Sequence, residues 1–109
     1  MTVRAITSLD EFKTIVNSGT PCVIDFWATW SGPSKTISPV FEKFSNDEAN
    51  GAVEFYTVNV DDQPAIAEEV GIRSMPTFML YKDGEKVDTV VGASPTKIQG
   101  LITKAVNFV

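Results

Sequence analysis

The sequence has no histidine, a single cysteine, and no apolar run near the roughly 20 residues that a membrane-spanning helix needs. One thiol, Cys22, cannot close a disulfide within the chain, so structural bridges are excluded. Without histidine the ligands that zinc prefers are almost absent, and no carboxylate cluster has the loop spacing of a calcium site, so no metal is expected. Basic residues are also few: 9 lysines and arginines against 14 acidic side chains give a formal charge of -5. That balance offers no general attraction to phosphate backbones or anionic lipid, so neither nucleic acid nor a membrane is an expected partner. The opening Met1-Thr2-Val3-Arg4-Ala5-Ile6 lacks the long apolar stretch of a secretory signal, and a soluble cytoplasmic protein is the expectation. What is present, 43% hydrophobic and 21% charged residues in a chain of 109, suits one domain over residues 1–109 with its own core.

The apolar pattern predicts a strand around Val3 to Ile6, followed by a helix. Ser8 and Glu11 have the spacing of a capping box, and Phe12, Ile15 and Val16 supply a one-sided stripe that ends near Gly19. After Pro21, Cys22 to Ala28 is nearly continuously apolar, the mark of a central strand covered on both faces. From Pro33 to about Asn46, Ile37, Val40, Phe41 and Phe44 fall at helical spacing, with Pro39 expected to remove one hydrogen bond and bend the helix. Val53 to Val60, rich in β-branched and aromatic residues, reads as a strand. Pro64 and Gly71 bracket a short helix carrying Ile66, Ala67 and Val70. Thr77–Tyr81 and Lys86–Val91 flank an Asp83-Gly84 pair, a strong hairpin signal. Ser94-Pro95 then opens a terminal helix whose apolar face is Ile98, Leu101, Ile102, Ala105 and Val106. The order is βαβαβαββα: an α/β fold with a five-stranded mixed sheet and four helices on its faces.

That order places Trp30-Ser31-Gly32-Pro33-Ser34 where the buried strand passes into the second helix, so the helix's first amides point toward Ser31. Free N–H groups and the helix dipole there stabilise negative charge. Around this junction the sequence closely resembles the thioredoxin family, and it does so over essentially the whole chain. The matching pieces are Asp25-Phe26-Trp27-Ala28-Thr29-Trp30, Gly32-Pro33, Lys35, Pro39, Asn59-Val60-Asp61, Met75-Pro76-Thr77-Phe78, Asp83-Gly84 and Val91-Gly92-Ala93. The family's motif is Trp-Cys-Gly-Pro-Cys. Ser31 therefore stands at the position of its nucleophilic cysteine and Ser34 at that of its resolving cysteine.

The resemblance implies a thioredoxin fold and protein-disulfide reduction, and the two serines imply its loss. A cysteine thiolate at a helix N-terminus has a lowered pKa and attacks a disulfide to give a mixed disulfide. An alcohol is a far weaker acid, and two serines cannot store electrons as a disulfide. Because serine is nearly isosteric with cysteine and the rest of the motif is retained, the pair reads as a deliberate cysteine-to-serine replacement.

Further roles come from the resemblance, and a few readings beside them from the residues themselves. Asp25 is implied to be the buried carboxylate that moves protons for the resolving thiol, and its place in an apolar strand implies a raised pKa. Many family members carry a lysine near it, but the matching position here is Thr57. The Met75-Pro76 bond is implied to be cis, with the backbone at Met75 pairing with an extended substrate segment. Trp30, Gly32, Pro33, Ile72, Met75, Pro76, Gly92 and Ala93 would form the apolar docking surface. Ser74 sits where some animal members have an extra cysteine. Lys35 reads as a solvated helix residue whose charge assists the neighbouring thiolate in the parent form. Trp27 is expected to be largely packed and Trp30 partly exposed, while Cys22 reads as a small buried hydrophobe.

The function so implied is a disulfide reductase inactivated at its catalytic pair. Its partners are disulfide-containing substrate proteins and thioredoxin reductase, through which NADPH supplies electrons. The domain holds no cofactor, and the chain is a monomer or weak dimer. The alternative is a naturally redox-inactive thioredoxin-like binding module. A serine hydrolase is disfavoured: there is no histidine base, and the site has neither a Gly-x-Ser-x-Gly nor a Ser-x-x-Lys arrangement.

Overall fold

Serine hydroxyls start three of the four α-helices. Ser8, Ser31 and Ser94 each precede a helix, and each accepts a hydrogen bond from the backbone N–H three residues on, at Glu11, Ser34 and Lys97. Each satisfies one of the donors that a helix start leaves without an internal partner. At Ser8 the second half of the expected box is displaced by one residue. The Glu11 carboxylate accepts from the Thr7 N–H at 2.6 Å rather than from Ser8 itself.

The computed structural model describes residues 3–108. The proposed reading of the amino-terminal segment therefore falls partly, at Met1 and Thr2, outside the described residues. In chain order the elements are β1 (Val3–Ala5), α1 (Leu9–Val16), β2 (Cys22–Trp27), α2 (Gly32–Ser45), β3 (Glu54–Asn59), α3 (Pro64–Val70), β4 (Thr77–Lys82), β5 (Glu85–Val91) and α4 (Pro95–Val106). The elements read from the sequence are all present, with ends moved by a few residues. One was not anticipated, a 3-10 turn at Glu48–Asn50, where the Asp47 carboxylate accepts from the Ala49 N–H. α2 begins at Gly32 and runs through Pro39 to Ser45 without interruption. Pro39 has no N–H to donate to the turn before it, so that helix is one hydrogen bond short in mid-span. α1 stops at Val16 rather than running on toward Gly19.

The sheet order is β1-β3-β2-β4-β5. β1 and β2 run parallel to β3, whereas β4 is antiparallel to both β2 and β5. Alternation along β2 divides the interior in two. Cys22, Ile24 and Phe26 face one cluster with Phe12 and Val16 of α1 and Ile66 of α3. Val23 faces the other, with Ile37 and Phe41 of α2 and Ile98, Leu101 and Ile102 of α4. In that second cluster Phe41 packs its ring against Phe55 and Phe78, with centroids 5.5 and 5.3 Å away.

Between β4 and β5 the turn is the two-residue Asp83-Gly84. Both have positive φ, 53° and 81°, as a tight hairpin of this hand requires. The Gly84 N–H also donates to the Val16 carbonyl at 2.7 Å, tying the turn to the end of α1.

Candidate functional site

The sheet brings the candidate residues to one end. β2 and β4 are antiparallel with Phe26 opposite Thr77, so the loop leaving β2 and the Met75-Pro76 segment entering β4 lie at the same edge. Val91 pairs with Thr77, which brings Gly92 and Ala93 to that edge as well. There the Gly92 N–H donates to the Pro76 carbonyl at 2.9 Å, with Gly92 at a φ of 102° that favours glycine.

The turn from β2 into α2 is closed by backbone bonds on both sides of Ser31. Its N–H donates to the Ala28 carbonyl at 3.2 Å, and its carbonyl accepts from the Lys35 N–H at 3.3 Å. The Ser31 hydroxyl accepts from the Ser34 N–H at 3.3 Å, so an atom at this position is held against the amides of the first turn. Both serines are buried, and among the described residues the Ser34 hydroxyl has no hydrogen-bond partner. Gly32 and Pro33 lie exposed between them, and Trp30 is 69% exposed. The pair thus sits under a small surface cap, with its side chains turned inward and apolar groups outward.

Asp25 follows the alternation of β2 onto the face covered by α2. It is 2% exposed, and its Oδ1 has no hydrogen-bond partner among the described residues. Burial pushes its carboxyl up from the ordinary 3.8 to about 7, because little solvent remains to stabilise the charge. Thr57, its register neighbour on β3, donates its hydroxyl to the Asp25 backbone carbonyl at 3.4 Å rather than to the carboxyl. Asp25 forms part of the wall of a cavity of about 390 Å³ between α2 and the β1-β3-β2 side of the sheet.

The Met75-Pro76 peptide bond is cis. Pro76 is buried, Met75 half-buried and Ser74 exposed, and the Ser74 carbonyl accepts from the Thr77 hydroxyl at 2.6 Å. The expected docking surface is not uniform. Trp30, Gly32 and Pro33 are open to solvent, but Ile72 and Ala93 pack, half-buried, against the two interior clusters. Both sit at the margin of the core because α3 and β5 end just before them, and each spends part of its apolar surface there. Trp27 is half-buried and Cys22 wholly buried; burial pushes the Cys22 thiol up to about 12.

This arrangement has close counterparts among known proteins. The sequence profile of the thioredoxin family matches residues 3–104. The chain belongs to the thioredoxin family. Thioredoxin of Malassezia sympodialis is 56% identical over 102 residues, covering 94% of this chain and 97% of that protein. The crystal structure of the Malassezia sympodialis protein superposes with a TM-score of 0.93 at 54% identity, covering 97% of this chain and 95% of the other. A thioredoxin of Entamoeba histolytica, solved as a cysteine-to-serine mutant, superposes at 0.85 with 35% identity and covers 94% and 98% of the two chains. The fold is therefore the thioredoxin fold, and the chemistry of the family is thiol–disulfide exchange.

Some contacts at this thioredoxin-type site were not anticipated, although Ala28, Lys35 and Pro39 were among the matching motif residues. The turn depends on the Ala28 carbonyl, and the cavity beside Asp25 takes its α2 wall from Lys35, Ser38, Pro39 and Glu42. Their i, i+3, i+4, i+7 spacing was a visible signal that these four share one helix face.

Proposed function

We propose that this chain is a thioredoxin-type disulfide-exchange scaffold whose two serines remove the redox step and leave noncovalent partner binding in place. The observation that carries the reading is the Ser31 hydroxyl held at 3.3 Å from the Ser34 N–H at the start of α2. A sulfur there would gain the anion stabilisation that lowers a thiol's pKa. Oxygen cannot use it in the same way, since an alcohol is a far weaker acid than a thiol. The buried Ser34 hydroxyl, without a hydrogen-bond partner among the described residues, fits the same reading, because a thiol tolerates an apolar niche better than an alcohol does. The Entamoeba histolytica mutant supports the compatibility of a cysteine-to-serine change with this fold.

In the thiol form of the site, the thiolate at position 31 attacks a substrate disulfide. That forms a mixed disulfide and releases one substrate thiolate. The thiol at position 34 then attacks the mixed disulfide, releasing the second substrate thiol and leaving a 31–34 disulfide. Two electrons pass to the substrate. Thioredoxin reductase, drawing on NADPH, returns them, so the domain needs no cofactor of its own. Asp25 accepts and returns the proton of the resolving thiol. Gly32 and Pro33 set the turn, and Trp30, Met75, Pro76 and Gly92 line the docking surface, with Ile72 and Ala93 at its edge. The cytoplasm, where thiols are kept reduced, is the compartment that suits this chemistry.

The test is the joint change Ser31→Cys and Ser34→Cys, assayed by insulin reduction with dithiothreitol. The unmodified chain is expected to match the reagent blank, and the double variant to accelerate precipitation strongly. A folded double variant with no activity would overturn the reading in favour of a binding module that never carried redox chemistry. Activity in the unmodified chain would overturn its inactivity.

A further inference from the structure

The cavity beside Asp25 combines features that a ligand would answer together. Its lining includes Asp25, a side chain only 2% exposed whose Oδ1 has no hydrogen-bond partner among the described residues. Its walls are mainly apolar, from Val3, Trp27, Pro39 and Phe41, and its volume of about 390 Å³ is in the range of small-molecule pockets. Thr57, with a short side chain, stands beside Asp25 on β3 and leaves space there.

We infer that this cavity is a binding site for a small flat cation, an amidinium or guanidinium on an apolar body, whose N–H groups donate to the Asp25 carboxylate. A planar cation can donate an N–H to the carboxylate edge that faces the cavity while its flat body lies along the apolar wall. It is also more weakly hydrated than an ammonium and loses less on entering an apolar space. The apolar body lies against Phe41, Pro39 and Trp27. Glu42 adds negative charge at the α2 wall, while Lys35 on the same wall opposes the ligand.

Binding of this kind needs Asp25 ionised, and Asp25 takes its proton near pH 7. The other ionisable groups of the wall are Lys35 and Glu42, both from α2. β1 and β3 present Val3 and Thr57, β4 places Phe78 opposite Asp25, and α4 presents Ile98, Leu101, Ile102 and Ala105 to this face. Asp25 therefore governs the pH dependence. A bound cation holds its carboxyl ionised to lower pH, and affinity falls as pH drops below about 7.

Benzamidine, which keeps its charge throughout, is the probe, titrated into the full chain and followed by amide NMR. At about pH 8 it should shift the signals of Asp25, Thr57 and Phe41. The affinity should fall at least about tenfold by pH 5.5, and at least about tenfold in Asp25→Asn at about pH 8, with the two chains converging at about pH 5.5. The carboxyl carbon of Asp25 should titrate at lower pH when the ligand is present. Ser38→Trp, at an exposed position on the α2 wall, should block binding if Asp25→Asn does not fold. Lys35→Gln should tighten it. Absence of binding at millimolar benzamidine would overturn the inference, as would equal affinity for neutral benzamide. So would shifts confined to Asn59 and Gln63, which line the smaller cavity beyond Trp27.

Discussion

The two ends of β2 treat polarisable atoms in opposite ways. At the start of the strand, Cys22 is enclosed among Phe12, Val16, Ile24 and Tyr81, and its thiol is pushed up to about 12. Beyond the other end, Ser31 is held against the free amides of α2, where a thiol would be pulled down. The one thiol thus lies where its ionisation is suppressed, and the helix start that would favour a thiolate holds oxygen. Reactivity here is a property of position in the fold, conferred by helix amides or withheld by enclosure, before it is a property of residue type.

The largest expected effect tests that contrast directly. In Ser31→Cys, alkylation with iodoacetamide at about pH 8 should label the new thiol faster than Cys22 by on the order of a thousandfold, since Cys22 is reached only by opening the core. Comparable rates, read by mass spectrometry of the two peptides, would erase the distinction. The next concerns Asp25, between the two ends. Its carboxyl binds a proton more tightly in the folded chain, near 7, than in the unfolded one, near 3.8. Its contribution to stability is therefore complete below about pH 3.8, falls as pH rises through that window, and is lost above about 7. The loss is about 4 kcal/mol on this difference. Urea unfolding of the unmodified chain should show that fall relative to Asp25→Asn, and parallel curves would place the carboxyl in water. Cys22→Ser should destabilise by about 1–3 kcal/mol, because a hydroxyl replaces a packed thiol in an apolar cluster. Ser31→Ala should cost about 1 kcal/mol, the usual loss for a helix cap. Together these last two would show sulfur serving packing at one end and oxygen serving capping at the other.

Much of this was legible in the chain because apolar spacing and end signals agreed. The hairpin was readable from Asp83-Gly84, since two consecutive positive φ values demand such residues. α3 was bounded by Pro64 and by Gly71, which takes the left-handed conformation at its end. The Glu48–Asn50 turn was missed because three residues carry no periodicity and its only signal is the Asp47 cap. At the site, the motif placed Ser31 and Ser34 in sequence, but their burial, and the lack of a partner for the Ser34 hydroxyl among the described residues, depend on packing around α2. The partial burial of Ile72 and Ala93 was illegible for a related reason. Whether an apolar residue beyond an element's end turns inward or outward is decided by its neighbours in space, not by its spacing in the chain.

The link between Gly84 and the end of α1 limits where foreign sequence can be spliced into this molecule. A Cβ at Gly84 would collide with the Asn17 side chain, and the Gly84 N–H is already committed to Val16. The tip of a β-hairpin is ordinarily the first choice for displaying a peptide, but here it is a clasp joining two parts of the chain. Gly100, exposed on α4 with open space where a side chain would sit, is a gentler place to begin decorating the surface.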